Sequence, residues 1–208
     1  MSLIHHFETD KNAMKELTCV YVGLGGNMGD RLETIHLALQ KISLLPQVYE
    51  LWISRFYYTT PVSSIPQESY VNAVCCFKTY LTLRELQAEL QKIEKELGKK
   101  EKQKDAPRVI DLDILFYGTS ICKDPDLEVP HPRWKERLFV VTPLADLTSH
   151  LLIPDPINLG VSFLFDVREY LQNFPNIHQE IVTLIPELSR NICTQYDSKN
   201  SPLVKVSP

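Results

Sequence analysis

The order of apolar runs along this chain predicts an α+β fold of the ferredoxin-like kind, β-α-β-β-α-β. Its antiparallel sheet carries helices on one face and an active site on the other. Three observations predict it. Two stretches repeat apolar residues at helical spacing behind capping pairs. Four stretches read as strands. The last of these, "APRVIDLDILFYG" at 106–118, is apolar on one face and places Asp111 and Asp113 together on the other.

The elements follow in order. Residues 1–17 are polar and aperiodic, an N-terminal extension, and "TCVYVGLGG" from Thr18 reads as a strand ending in glycines. Asp30 and Glu33 have the spacing of a helix N-terminal capping pair, and Leu32, Ile35, Leu39 and Ile42 recur at helical spacing up to Pro46. "VYELWISRFYYTT" is rich in β-formers and reads as the second strand, stopped by Pro61, and "YVNAVCCFKTY" as the third. Thr82 with Glu85 forms a second capping pair ahead of Leu83, Leu86, Leu90, Ile93 and Leu97, and Gly98 ends that helix.

In the fourth strand, alternation sends Ile110, Leu112, Ile114 and Phe116 toward the helices. Asp111 and Asp113, with Val109, Leu115 and Tyr117, face the open side. After Gly118 the chain is broken by prolines, with one helix expected around "LEVPHPRWKERLFVVTPLADL" and a last one in "VSFLFDVREYLQNF". From residue 173 no periodicity remains. The expected organisation is therefore an extension (1–17), one domain (18–172) and a tail or linker (173–208).

Composition narrows the function. With 44% hydrophobic and 23% charged residues the chain is an ordinary globular one, and its net charge of −4 argues against a general nucleic-acid binder. Five cysteines show no zinc-like spacing, and their odd number without a framework reads as reduced and cytoplasmic. The first residues lack the basic and apolar regions of a signal peptide, and no apolar run approaches a membrane span.

Two carboxylates on one strand face lie roughly 6.5–7 Å apart and repel each other. That arrangement suits Mg²⁺, which takes one or two carboxylates and fills its shell with water and phosphate oxygens. Lys99, Lys100, Lys102, Lys104 and Arg108 precede the strand, as a solvated loop or as an arm that neutralises phosphate. "GLGGNMGD" matches neither a dinucleotide fingerprint nor a phosphate-binding P-loop, and reads as a glycine turn between strand and helix.

Residues 104–115, "KDAPRVIDLDIL", resemble the signature of 6-hydroxymethyl-7,8-dihydropterin pyrophosphokinases. "GLGGNMGDR", "FYYTTP", "YVNAV", "QKIEKELG" and "VPHPRWKERLFVVTPLADL" resemble further pieces of that family in the same order. The resemblance covers residues 18 to 160 and implies the same ferredoxin-like fold. It also implies transfer of an intact diphosphate from ATP to the pterin hydroxymethyl group, releasing AMP, in folate biosynthesis.

By the same resemblance Asp111 and Asp113 are metal ligands for two Mg²⁺ ions, and Arg108, Asp111, Asp113 and Lys99 are the catalytic set. Tyr70 and Phe139 would sandwich the pterin ring, Asn72 would read its edge, and Thr59 and Val62 would complete the pocket. Gln91, Glu94, Arg108, Ile114, His131 and Arg137 fall on ATP-contacting positions. Asp105 stands where some relatives carry an aromatic residue, and Lys99 and Glu101 where some carry arginine. The resemblance implies no nucleic-acid or membrane partner, and a dihydropteroate synthase, fused or separate, as a partner. The competing reading is a ferredoxin-like module whose exposed aromatics, such as Phe56 and Tyr58, stack RNA bases.

Overall fold

The computed structural model describes residues 16–61, 66–100, 106–175, 180–186 and 194–195. Strand β1 (Thr18–Gly26) runs into helix α1 (Arg31–Ser43), where the Asp30 carboxylate accepts from the Glu33 N–H, as the capping spacing predicts. Helix α2 (Leu83–Glu96) opens with a complete Thr82/Glu85 capping box and ends before Gly98, whose φ of 95° suits glycine. Between them lie β2 (Val48–Ile53), β3 (Tyr57–Thr59) and β4 (Tyr70–Thr79), and β5 (Asp111–Tyr117) follows α2.

The central sheet is antiparallel, in the order β5-β1-β4, with β2 and β3 both pairing β4. The stretch expected as one second strand is thus two. The chain leaves the sheet at Ser54–Phe56, where the Ser54 hydroxyl accepts from the Val74 N–H, and rejoins it at Tyr57. Val20, Val22, Leu24, Val71, Ala73, Cys75 and Phe77 pack with the inner faces of α1 and α2 in the main core. This fits the α+β class expected.

The strand bearing the aspartates departs from simple alternation at one point. Val22 pairs with Ile114, but Tyr21 pairs with Phe116, so Leu115 is an extra residue in a bulge. Ile110, Leu112 and Ile114 face the helices as expected. Phe116 does not: beyond the bulge it joins Leu115 in a second core, and Tyr117 packs toward the first. The bulge leaves Asp111 and Asp113 on the open face and turns the next side chains into that second core.

The open face is itself partly covered. A 3₁₀ turn at Trp134–Glu136 and helix α3 (Leu138–Leu147) lie against it, with Val140, Val141 and Leu144 packing on Val74, Leu115 and Phe116. The buried Asp146 carboxylate fastens α3 to the sheet. It pairs with the Arg55 guanidinium and accepts from the Tyr57 hydroxyl at 2.7 Å. Small hairpins are formed by β6 (Cys122–Asp124) with β7 (Leu127–Val129) and by β8 (His150–Pro154) with β9 (Ser162–Asp166).

"VSFLFDVREYLQNF", expected as one helix, is β9 followed by the short helix α4 (Val167–Gln172), because Asp166 caps a new helix there. The segment expected as a tail also joins the fold. β10 (Val182–Leu184) pairs with β3, β11 (Thr194–Gln195) pairs with β2, and Ile185 is buried in the main core. The folded unit therefore extends past residue 172, whereas residues 1–15 of the expected extension lie outside the described residues.

Gly26 packs where no side chain fits. A Cβ there would collide with the backbone carbonyl of Val109, just ahead of β5. Gly26→Ala should cost about 1–3 kcal/mol by forcing the β1 and β5 backbones apart. Urea unfolding measures this, and a change below ~0.5 kcal/mol would contradict the close approach.

Candidate active site

Two cavities meet at Asp113, the first on the exposed part of the open face and the second at the β5 edge beside α2. Alternation along β1, β4 and β5 brings Gly23, Gly25, Asn72, Asp111 and Asp113 to that face. Gly25 has to be small, because a Cβ there would collide with the Asn72 side-chain oxygen.

The first cavity is lined by Thr59, Tyr70, Asn72, Arg108, Asp111, Asp113, Arg137 and Phe139. Asn72 is buried and its amide N–H donates to the Thr59 hydroxyl at 2.6 Å, which holds the amide plane still. The Tyr70 hydroxyl donates to Gln67 Oε1 at 3.1 Å, and the Arg137 guanidinium sits 5.5 Å from the centre of the Phe139 ring. The second cavity is lined by Gln91, Glu94, Lys99, Ile114 and His131, together with Asp113. Every site residue expected from the sequence thus borders one cavity or the other except Val62, which lies outside the described residues.

The two aspartates live in different surroundings. Asp113 is 45% exposed, with Arg137 at 3.9 Å. Asp111 is only 12% exposed and sits between two cations, Lys99 at 2.7 Å and Arg108. Burial pushes the Asp111 carboxyl upward, but Lys99 and then Arg108 outweigh it and hold it below the usual carboxylate range. Burial raises Glu94, and the Lys99 ammonium and the Leu112 N–H only partly offset that. Lys99 bridges Glu94 and Asp111, and the two carboxylates raise it despite its burial. Lys99, expected in the catalytic set and at the head of the lysine run, is packed between Glu94 and Asp111. Lys102 and Lys104 of that run lie outside the described residues.

His131 and Arg137 make a donor pair. His131 Nδ1 accepts from the Arg133 N–H at 3.2 Å, which assigns the proton of the neutral ring to Nε2. That nitrogen is 3.4 Å from Arg137 Nη1. Two donors this close are both satisfied by one anionic oxygen placed between them, which is how a phosphate would be met.

Sequence reasoning missed Asn27. Read as part of a turn, it is buried and clamps the approach to β5: its side-chain oxygen accepts from the Arg108 N–H at 2.7 Å, and its own N–H donates to the Arg108 carbonyl. Its amide also donates to Gln67 and to the Glu68 carbonyl. One side chain thereby sets both Arg108 and the segment leading to Tyr70. Nothing in the glycine-rich composition announces it.

The model of the 7,8-dihydro-6-hydroxymethylpterin-pyrophosphokinase family matches residues 21–149, a span that includes both cavities' expected residues. The chain belongs to that family. A Haemophilus influenzae 2-amino-4-hydroxy-6-hydroxymethyldihydropteridine pyrophosphokinase is 38% identical over 65% of this chain and 84% of its own length. The Pneumocystis carinii folic acid synthesis protein fol1 is 42% identical over 65% of this chain, which spans only 18% of that protein. A Plasmodium falciparum HPPK-DHPS structure shares the fold, with a TM-score of 0.58 at 12% identity over 78% of this chain and 46% of that one.

Burial lowers the His131 pKa first, and the Arg137 charge lowers it further. The folded ring therefore takes up its proton less readily than an unfolded one. Its contribution to stability is full above pH 6.5 and falls as the pH drops below that value. NMR titration of the ring should give a midpoint below 6.5, and a midpoint at or above it would contradict the assigned surroundings.

Proposed function

We propose that this chain transfers an intact diphosphate from ATP to the hydroxymethyl oxygen of 6-hydroxymethyl-7,8-dihydropterin, giving AMP and the pterin diphosphate of folate biosynthesis. The supporting observation is the meeting of two differently built cavities at Asp113, with Asp111 beside it. One has a fixed amide, a buried hydroxyl and two aromatic side chains, which suits a flat heterocycle with donors and acceptors along its edge. The other carries the histidine and runs along α2, which suits a nucleotide with its phosphates at the junction.

The pterin hydroxyl attacks the β-phosphorus and loses its proton to solvent, while the bond from that phosphorus to the oxygen bridging the α-phosphate breaks and AMP departs. Arg108, Arg137, Lys99 and His131 surround the junction with donors that stabilise charge on the phosphates. Holding the two substrates in the two cavities aligns oxygen with phosphorus, and positioning accounts for much of the acceleration.

Asp111 and Asp113 are the groups we propose to hold Mg²⁺, as two ions, whose contribution is to neutralise the phosphates and orient them. The donors fit such ions. Among the described residues no group of three or more His, Cys, Asp or Glu gathers as a metal cage. Two hard carboxylates at a cavity junction therefore match an ion that completes its shell from substrate phosphate and water.

Of the two aromatics an RNA-stacking module would expose, Tyr58 is exposed, but Phe56 is 5% exposed and belongs to the core. That and the carboxylates on the open face disfavour the RNA reading. Among the described residues no helix is long and apolar enough to cross a membrane. A cytoplasmic location and a dihydropteroate synthase, fused or separate, as consumer of the product complete the proposal.

Mass analysis after incubation with ATP, Mg²⁺ and the pterin should show AMP and the pterin diphosphate. ADP with a pterin monophosphate would refute the reaction type. Asp113→Ala should lower turnover by two orders of magnitude or more, roughly 3 kcal/mol, while leaving the circular dichroism spectrum unchanged. Retention of more than about a tenth of the activity at saturating Mg²⁺ would place under ~1.4 kcal/mol on that carboxylate and refute its role.

A further inference from the structure

The first cavity has a wall that the family match, ending at residue 149, does not include. It is built by the C-terminal segment. β10 pairs with β3 so that Val182 stands opposite Thr59, and the register is locked at its start: the Ile181 N–H donates to the Thr60 hydroxyl and the Thr60 N–H donates to the Ile181 carbonyl, both at 3.1 Å. This pairing delivers Glu180 to the cavity, where it is 4% exposed.

Glu180 reaches across to the opposite wall. Its Oε2 accepts from the Phe139 N–H at 3.2 Å. Phe139 is in the first turn of α3, a helix whose N-cap residue, Arg137, makes no side-chain capping bond. The first N–H groups of a helix have no partner within it, and a carboxylate there also meets the positive end of the helix dipole. A carboxylate from the distant C-terminal segment thus does what a local cap does elsewhere. The turn it holds carries Phe139; Arg137, the extended N-cap residue ahead of that turn, is held separately by its own carbonyl, which accepts from the Val140 and Val141 N–H groups.

We infer that Glu180 is a positioning residue of the pterin site: by capping the first turn of α3 from the C-terminal segment, it fixes the Phe139 wall relative to Thr59 and Asn72. This rests on the pterin reading of the first cavity. The second cavity, which receives the nucleotide in that reading, is not lined by Glu180.

The test is calorimetric binding of 6-hydroxymethyl-7,8-dihydropterin, with a saturating non-hydrolysable ATP analogue, and separately of the analogue itself. Glu180→Ala should weaken pterin binding about tenfold, as expected for losing a charge-assisted hydrogen bond. It should leave the analogue within about twofold. Glu180→Gln keeps an oxygen for the Phe139 N–H and should stay within about threefold of wild type. Equal weakening of both ligands in Glu180→Ala, undiminished pterin binding in it, or a Glu180→Gln as impaired as Glu180→Ala would each overturn the inference. Failure of the wild-type protein to bind the pterin would instead overturn the functional reading beneath it.

Discussion

A carboxylate as enclosed as Asp111 stays charged only beside a compensating cation, and much of the site is arranged around that requirement. Lys99 comes to it from just beyond α2, and Arg108 from the approach to β5. Lys99 is shared with Glu94, and Glu94 in turn accepts from the Leu112 N–H on an outer strand of the sheet. One network thus satisfies an edge N–H, ties the end of α2 to β5 and holds two cations beside the aspartates. Charge that keeps Asp111 ionised in the free protein is, in the proposed function, the charge offered to a triphosphate.

The two faces of the sheet divide the work. The face toward α1 and α2 is a continuous apolar core. The other is divided between a second core under α3 and an uncovered part that holds the first cavity, while the second cavity opens at the β5 edge beside α2. The bulge at Leu115 marks that boundary on β5, with carboxylates before it and buried apolar side chains after it. Because α3 is pinned by Asp146 to Arg55 and Tyr57, and its first turn by Glu180, the Phe139 wall is held to the strands that carry Thr59 and Asn72.

Much of this was legible in the sequence where a pattern repeats. Both helices announce themselves by spacing and caps, and the Asp111/Asp113 pair by its phase against Ile110, Leu112 and Ile114. A single extra residue leaves no mark on such alternation, so Phe116 was expected on the wrong face. The break at Ser54–Phe56 was hidden because Ser54 and Arg55 are a short interruption in a run of β-formers and no Gly or Pro marks it. β10 is only three residues long and finds its place through pairing with β3, a tertiary effect that local propensity does not encode. Asn27 and Glu180 act through backbone groups distant in sequence, and neither belongs to a spacing motif.

In the proposed function the β5 aspartates serve metal-bound phosphate. The most direct measurement is the affinity of a non-hydrolysable ATP analogue as Mg²⁺ is varied, by calorimetry, for the wild-type chain and for Asp111→Asn. The wild-type affinity should rise by at least about tenfold with Mg²⁺, and the variant should lose most of that rise. The same magnesium dependence in both proteins would contradict the claim.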